Sequence, residues 1–210
     1  MIKLLIADDH PVVRQGLRQI LSEMGDVLVG GEAGSAEDVM RLVGEQRFDV
    51  VLLDIGLRGR NGLELIGEIR RERPETRVLI LTVHSEEQYA VRAIRAGAAG
   101  FLTKESAPEK LIDAVRKVAS GGRYVSAELA ETLASLLAGE AQGQPHERLS
   151  DREFEVLKML ASGKTVSGVA GELGLSVKTI STHRTRILKK MNMKTNADLT
   201  RYAMKTGLIV

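Results

Sequence analysis

Val50-Val51-Leu52-Leu53-Asp54 is the stretch that decides the fold, with Gly56 two residues further on. Four apolar residues, two of them β-branched, run straight into a carboxylate. A continuous apolar run of this length suits a strand covered on both faces, as in a parallel sheet packed between helices. The acid then stands at the carboxyl end of the strand, where open α/β sheets place their ligands. An acid there can cap a helix, bind a metal or act as a nucleophile.

Working outward, Ile2 to Ala7 reads as a strand ending at Asp8-Asp9, and Pro11 opens an amphipathic helix carrying Val12, Val13, Leu17, Ile20, Leu21 and Met24. Val27 to Glu32 is a second strand. Ser35 to Asp38 is a capping-box-like start for a helix to about Gln46. Gly59 to Gly62 make a turn, and Leu63 to Glu72 a helix that stops before Pro74. Val78 to Thr82 is a fourth strand, Glu86 to Ala96 a helix closed by Gly97. Gly100-Phe101-Leu102 is a fifth strand, and Pro108 opens a helix to about Ser120. Strands and helices alternating in this way predict an α/β, flavodoxin-like (βα)5 domain with a parallel sheet.

Four of these strands bring chemistry to one edge: Asp8 and Asp9 from the first, Asp54 from the third, Thr82 from the fourth and Lys104 just past the fifth. Each alone has a bland reading as a cap, a strand end or a surface lysine. Together they point to phosphoryl transfer onto a carboxylate. Converging carboxylates repel unless a cation neutralises them. Mg2+ takes one or two carboxylates plus water and phosphate oxygens. Lys104 is a point cation for Asp54 or for a phosphoryl oxygen, and Thr82 supplies a hydroxyl.

With these residues in place, residues 1 to about 122 resemble a receiver domain of two-component response regulators. The Asp8-Asp9-His10-Pro11 run and Gly97-Ala98-Ala99-Gly100-Phe101-Leu102 resemble the NarL/LuxR (FixJ) type. The resemblance implies that Asp54 accepts a phosphoryl group from a sensor histidine kinase. It implies that Asp9, Asp54 and the Gly56 carbonyl hold the divalent cation, with Asp8 acting mainly through water. It implies that Phe101 is an aromatic switch that moves as Thr82 approaches the phosphate. Gly56 and His84 fall where side chains of the family tune phosphoryl lifetime, and Gly56 predicts open water access and a short lifetime. Arg58 stands where receivers usually carry Pro.

Beyond this domain, Ala127 to Leu137 is a helical leucine/alanine stretch, and residues 139–147 read as a polar flexible linker. The expected division is thus 1–122, then helix and linker over 123–148, then a second domain over 149–210. The chain has no cysteine and four scattered histidines, which argues against disulfides, thiolate chemistry and a histidine-rich metal centre. No apolar run reaches the roughly 18–20 residues of a membrane span, and no signal peptide is evident, so a cytoplasmic protein without membrane association is expected. The net charge of +2 hides an asymmetry: 11 Lys/Arg against 5 Asp/Glu from Leu149 onward, with no acid between Leu173 and Ala197. A basic C-terminal third suits a polyanion.

Ser150-Asp-Arg-Glu153 is a capping box opening a helix to Gly163. Val166 to Leu173, Ser176 to about Met191 and Asn196 to Met204 follow as three more helices. On the third, Val177, Ile180, Ile187, Leu188 and Met191 share an inward face. Lys178, Thr182, Thr185, Arg186 and Lys189 lie opposite, with Ser181 at the edge and Arg184 on the rim. This is a helix-turn-helix arrangement in an all-α four-helix domain. Residues 149 to about 208 resemble the LuxR-type DNA-binding domain, carried by Leu149 to Leu157, Ala161 to Gly163, Leu175-Ser176 and Lys178 to Arg184. The resemblance implies that Ser181, Thr182 and Thr185 lie closest to base edges of double-stranded promoter DNA. It assigns Lys178, Arg184 and Lys189 to phosphates and dimerisation to the last helix. Gly168 stands where the family carries an acid, which predicts a weaker second helix. The whole reads as a phosphorylation-switched transcription regulator, not an enzyme with a separate substrate. Phosphorylation would drive homodimerisation or release of the DNA-binding domain. The alternative is a regulator that works without phosphate and keeps the receiver as a structural part.

Overall fold

The apolar runs pair in parallel as β1 (Ile2–Ala7), β2 (Val27–Ala33), β3 (Val50–Leu53), β4 (Arg77–Thr82) and β5 (Gly100–Thr103). Their order is β2-β1-β3-β4-β5, the flavodoxin-like order expected from right-handed crossovers. This computed structural model describes residues 1–57, 61–83, 86–105, 108–137 and 144–209. The chain divides into two compact units, Met1–Glu140 and Ala141–Val210.

Between the strands run α1 (Pro11–Ser22), α2 (Ala36–Glu45), α3 (Gly62–Glu72), α4 (Glu86–Ala96) and α5 (Pro108–Ala119). Leu17 and Leu21 of α1 and Leu111, Ala114, Val115 and Val118 of α5 pack on one sheet face, against Leu4, Ile6, Val50, Leu52, Leu79, Leu81 and Leu102. The alternate strand residues Leu5, Val51, Leu53, Val78, Ile80 and Phe101 therefore face the other way, and all are buried. Both faces being covered explains why β3 reads as an unbroken apolar run. Helix starts follow local chemistry. Ser35 accepts from Asp38 N–H at α2, and Asn61 from Leu63 N–H at α3. Gly97, at φ +104°, closes α4 in a conformation that a side chain would strain.

The N-terminal unit runs past the expected boundary at residue 122. Tyr124 extends the sheet edge: its carbonyl accepts from Phe101 N–H at 3.0 Å and its N–H donates to Ala99 O at 3.0 Å. Helix α6 (Ala127–Leu137) then packs on α4 and buries Leu129.

The second unit contains α7 (Asp151–Ala161), α8 (Val166–Glu172), α9 (Val177–Lys190) and α10 (Asn196–Lys205), with α7 packed on both α9 and α10. The capping box at Ser150 forms as the sequence indicates. Its acid, Glu153, is buried and also accepts from Lys190 Nζ at 2.6 Å, at the far end of α9. Burial pushes the Glu153 pKa up, but the ammonium and the Ser150 N–H outweigh it and hold the carboxyl below its usual value.

The segment expected to be a flexible linker ends differently. Pro145–Arg148 form a 3-10 turn, and His146 is buried, its Nδ1 2.8 Å from the Tyr202 hydroxyl and its ring against Phe154. An imidazole that finds a hydrogen bond and two aromatic neighbours outweighs the disorder that the polar composition suggests. Val177, expected inward, is half exposed. It stands at the first position of α9, and helix side chains tilt toward the N-terminus, so it overhangs the exposed start of the helix.

Helix α8 is formed despite Gly168 and Gly171, with Thr165 accepting from Gly168 N–H at 3.0 Å. Only the Thr165 hydroxyl, at 3.3 Å, would meet a Cβ at position 168. Gly168→Glu therefore completes a capping box and removes a helical glycine. It is expected to stabilise the C-terminal unit by about 0.5–1 kcal/mol, read from urea unfolding of the full chain followed by far-UV circular dichroism.

Candidate functional site

The acidic pocket is assembled by strand ends. The N–H of Asp8 donates to Ala33 O at 3.1 Å and that of Asp54 to Ala7 O at 2.8 Å, so sheet hydrogen bonding continues to both acids. The Lys104 N–H donates to Thr82 O at 2.8 Å, which ties the ends of β4 and β5 together. Asp8 and Asp54 are buried, at 2% and 5% exposure, and Thr82 is completely buried.

Lys104 Nζ lies 2.6 Å from Asp54 Oδ2 and 2.6 Å from Asp8 Oδ2, bridging two carboxylates that would otherwise repel. Burial lowers the Lys104 pKa, but its hydrogen bonds to Asp54 and Asp8 prevail and raise it above the ordinary lysine value. The ammonium is therefore charged throughout the neutral range. The stabilisation it gives is lost only as pH climbs through that raised pKa.

Asp54 Oδ1 accepts from Gly56 N–H at 3.1 Å. A Cβ at Gly56 would sit 3.7 Å from Asp54 Oδ2, so a side chain at this position can lie over the carboxylate. Phe101 is fully buried within β5. His84 and Arg58 lie outside the described residues.

Two residues that the sequence reading passed over contribute here. Gly62 lies against the backbone that follows β3, where a Cβ would be 2.7 Å from both Asp54 O and Ile55 Cα. Close backbone approach is what requires glycine there. His10 turns its Nδ1 to 2.7 Å from Asp9 Oδ1. The signal was its place directly after Asp8-Asp9.

The donor set fits a hard divalent cation. Oxygens of Asp8, Asp9 and Asp54, with a ring nitrogen of His10, all lie within 4.8 Å of one another. Lys104 stands between Asp8 and Asp54, and carboxylate oxygens are the donors that a hard divalent cation takes.

Helix α9 carries the second candidate surface. Lys178, Ser181, Thr182, Thr185, Arg186 and Lys189 are exposed along it. Ser176 caps it by accepting from Thr179 N–H at 3.0 Å. Thr182 and Thr185 donate their hydroxyl protons to Lys178 O and Ser181 O, both at 3.0 Å, leaving methyl groups and oxygen lone pairs to face a partner. A shallow groove at the start of the helix is lined by Ser176, Lys178, Thr179, Thr182, His183 and Arg186. Burial lowers the His183 pKa, with Arg152 and Arg186 adding to the effect and Glu153 opposing it, so its imidazole is neutral at pH 7. Arg184 stands apart: it is half-buried and its Nε donates to Asn196 Oδ1 at 2.6 Å, joining α9 to the start of α10.

Residues 4–116 match the family described as response regulator receiver domain, and residues 147–203 that described as bacterial regulatory proteins, luxR family. The response regulator UvrY of Escherichia coli (strain K12) is 36% identical over 209 residues, spanning 99% of this chain and 96% of its own. The response regulator GacA of Pseudomonas aeruginosa is 35% identical over 210 residues, spanning 100% and 98%. Among solved structures, RcsB from Salmonella enterica serovar Typhimurium, bound to promoter rprA in the presence of the phosphomimetic BeF3-, aligns with a TM-score of 0.66 at 25% identity. That alignment covers 96% of this chain and 97% of RcsB.

Lys104→Met removes the cation between two buried carboxylates. It is expected to destabilise the N-terminal unit by on the order of 3 kcal/mol in chelator, with millimolar Mg2+ restoring part of the loss, as read by thermal melting with and without the ion.

Proposed function

Because the chain belongs to the response regulators that join a receiver domain to a luxR-type DNA-binding domain, we propose that phosphorylation of Asp54 by a sensor histidine kinase controls its binding to promoter DNA. The observation that carries this reading is the Lys104 ammonium held at 2.6 Å from both Asp54 and Asp8. A cation so placed can pass from Asp54 to an incoming phosphoryl oxygen without leaving the pocket.

In this reading an Asp54 carboxylate oxygen attacks the phosphorus of a phosphohistidine, and the imidazole of the kinase leaves. Asp9, Asp54 and the Gly56 carbonyl would hold Mg2+, with Asp8 acting through water. Bound Mg2+ supplies positive charge to the transferring phosphoryl group. Phosphorylation takes the charge at residue 54 from about −1 to near −2 or beyond. Lys104 then pairs with a phosphoryl oxygen. The Thr82 hydroxyl turns toward another, and Phe101 repacks in the space that Thr82 leaves. These movements bias a two-state surface around β4 and β5.

The output is a homodimer whose α9 helices enter successive major grooves, about one helical turn apart. Ser181, Thr182 and Thr185 approach base edges, while Lys178 and Lys189 meet phosphates. Arg184 reaches a phosphate with the part of its guanidinium not held by Asn196. The place of action is the cytoplasm, where kinase and promoter are both accessible. Among the described residues no helix is long and apolar enough to cross a membrane.

Beryllofluoride with Mg2+ is expected to raise both promoter affinity and molecular mass, measured by fluorescence anisotropy and light scattering. Asp54→Asn should abolish both responses and the incorporation of phosphate from acetyl phosphate. Equal affinity with and without beryllofluoride would instead favour a phosphate-independent regulator. Gly56→Asn is expected to slow loss of the phosphoryl group, by covering Asp54, as timed by the decay of labelled protein. Lys178→Ala should weaken binding about uniformly across DNA sequences and lower the salt slope by about 1.

A further inference from the structure

His10 stands where its helix does not use it. It is the N-cap of α1, a position at which Ser, Thr, Asp or Asn normally accepts an orphan N–H, yet its side chain makes no capping bond. The imidazole turns into the carboxylate cluster instead, with Nδ1 2.7 Å from Asp9 Oδ1 and 3.3 Å from Asp8 Oδ1. The backbone fixes it there, because the His10 N–H donates to Asp8 Oδ1 at 2.8 Å. Asp8 is thereby divided: Oδ2 faces Lys104 and Oδ1 faces His10. The side chain of His10 is 67% exposed, so packing does not force it inward.

Ligand atoms sharing an octahedral ion at 2.0–2.1 Å lie about 2.9 Å apart when adjacent and about 4.1 Å apart when opposite. The spacing of His10 Nδ1 to Asp9 Oδ1, 2.7 Å, matches the adjacent value to within about 0.2 Å. A hydrogen bond to Asp9 gives the same 2.7 Å. The two roles differ in what a metal does to the ring.

We infer that His10 Nδ1 is a further ligand of the divalent cation in this pocket, converting an all-oxygen site into a mixed nitrogen and oxygen site. This rests on the proposed reading of the pocket as a cation site. Imidazole suits late first-row cations, whereas carboxylate and carbonyl oxygens suit Mg2+. The pocket accordingly favours Co2+ and Ni2+ over Mg2+ more steeply than its carboxylates alone would.

The test is calorimetric titration of the full chain with Mg2+ alone and with Ni2+ alone, for the natural sequence, His10→Ala, His10→Asn and Asp9→Asn. Both His10 variants should lose about tenfold or more in Ni2+ affinity and less than about threefold in Mg2+ affinity. His10→Asn supplies a helix cap, which separates the metal effect from folding of α1. Substoichiometric Ni2+ should broaden the His10 ring resonances. Equal losses for both ions, unchanged Ni2+ affinity, or an unperturbed His10 ring would overturn the inference and leave His10 a hydrogen-bond partner of Asp9. If Asp9→Asn binds both ions as the natural sequence does, the cation site itself is wrong and the inference falls with it.

Discussion

Like charges packed out of water at the rim of a parallel sheet are the constraint on which the N-terminal unit turns. Asp8 and Asp54 are almost fully buried, and a carboxylate out of water calls for a counter-charge. Lys104 provides one from the end of β5, two strands away from β3 and three from β1. Asp9 adds a third carboxylate to the same pocket. A protein built only for stability would replace this group with apolar side chains. Retaining it makes sense when a cation and a phosphoryl group are to enter.

The sheet makes such a rim available at little cost. Parallel strands all end on the same side, and covering both faces with helices leaves that end open. At the start of α3 the backbone of Gly62 lies against that of Asp54 and Ile55, so closely that position 62 tolerates no side chain. Asn61, itself buried, caps α3 on the far side of the same turn. Asp54 is therefore held by backbone on one side and by an ammonium on the other.

In the C-terminal unit the interior charge is handled in the opposite manner. Glu153 closes its own capping box and meets Lys190 at the end of α9, so its Oε2 accepts from both the Ser150 N–H and an ammonium. Arg184 joins α9 to α10 through Asn196, and His146 joins the entering chain to α10 through Tyr202. With these groups turned inward, the remaining cations and small hydroxyl side chains of α9 are left on its outer face. That is the composition a major groove accepts, in which positive charge answers phosphate and short side chains permit close approach.

How much of this was legible beforehand depended on the reach of each interaction. The unbroken apolar run at residues 50–53, the acids at strand ends, Pro11, the Ser150–Glu153 box and the spacing of Ile180 and Ile187 are local patterns. Chain geometry converts them directly into strands, caps and faces. They determined both folds and the strand ends at which Asp8, Asp9, Asp54, Thr82 and Lys104 stand. Tertiary structure alone decided that Lys104 also grips Asp8 and that His10 joins the carboxylates rather than capping its helix. It alone decided that Gly62 is needed for contact and that His146 docks on Tyr202, 56 residues away. Composition marked the last of these as linker because it registers polarity and not the partner that satisfies it. A side chain's role in such contacts is fixed by which distant groups the packed core carries to within hydrogen-bonding distance, and no periodicity in the chain encodes that.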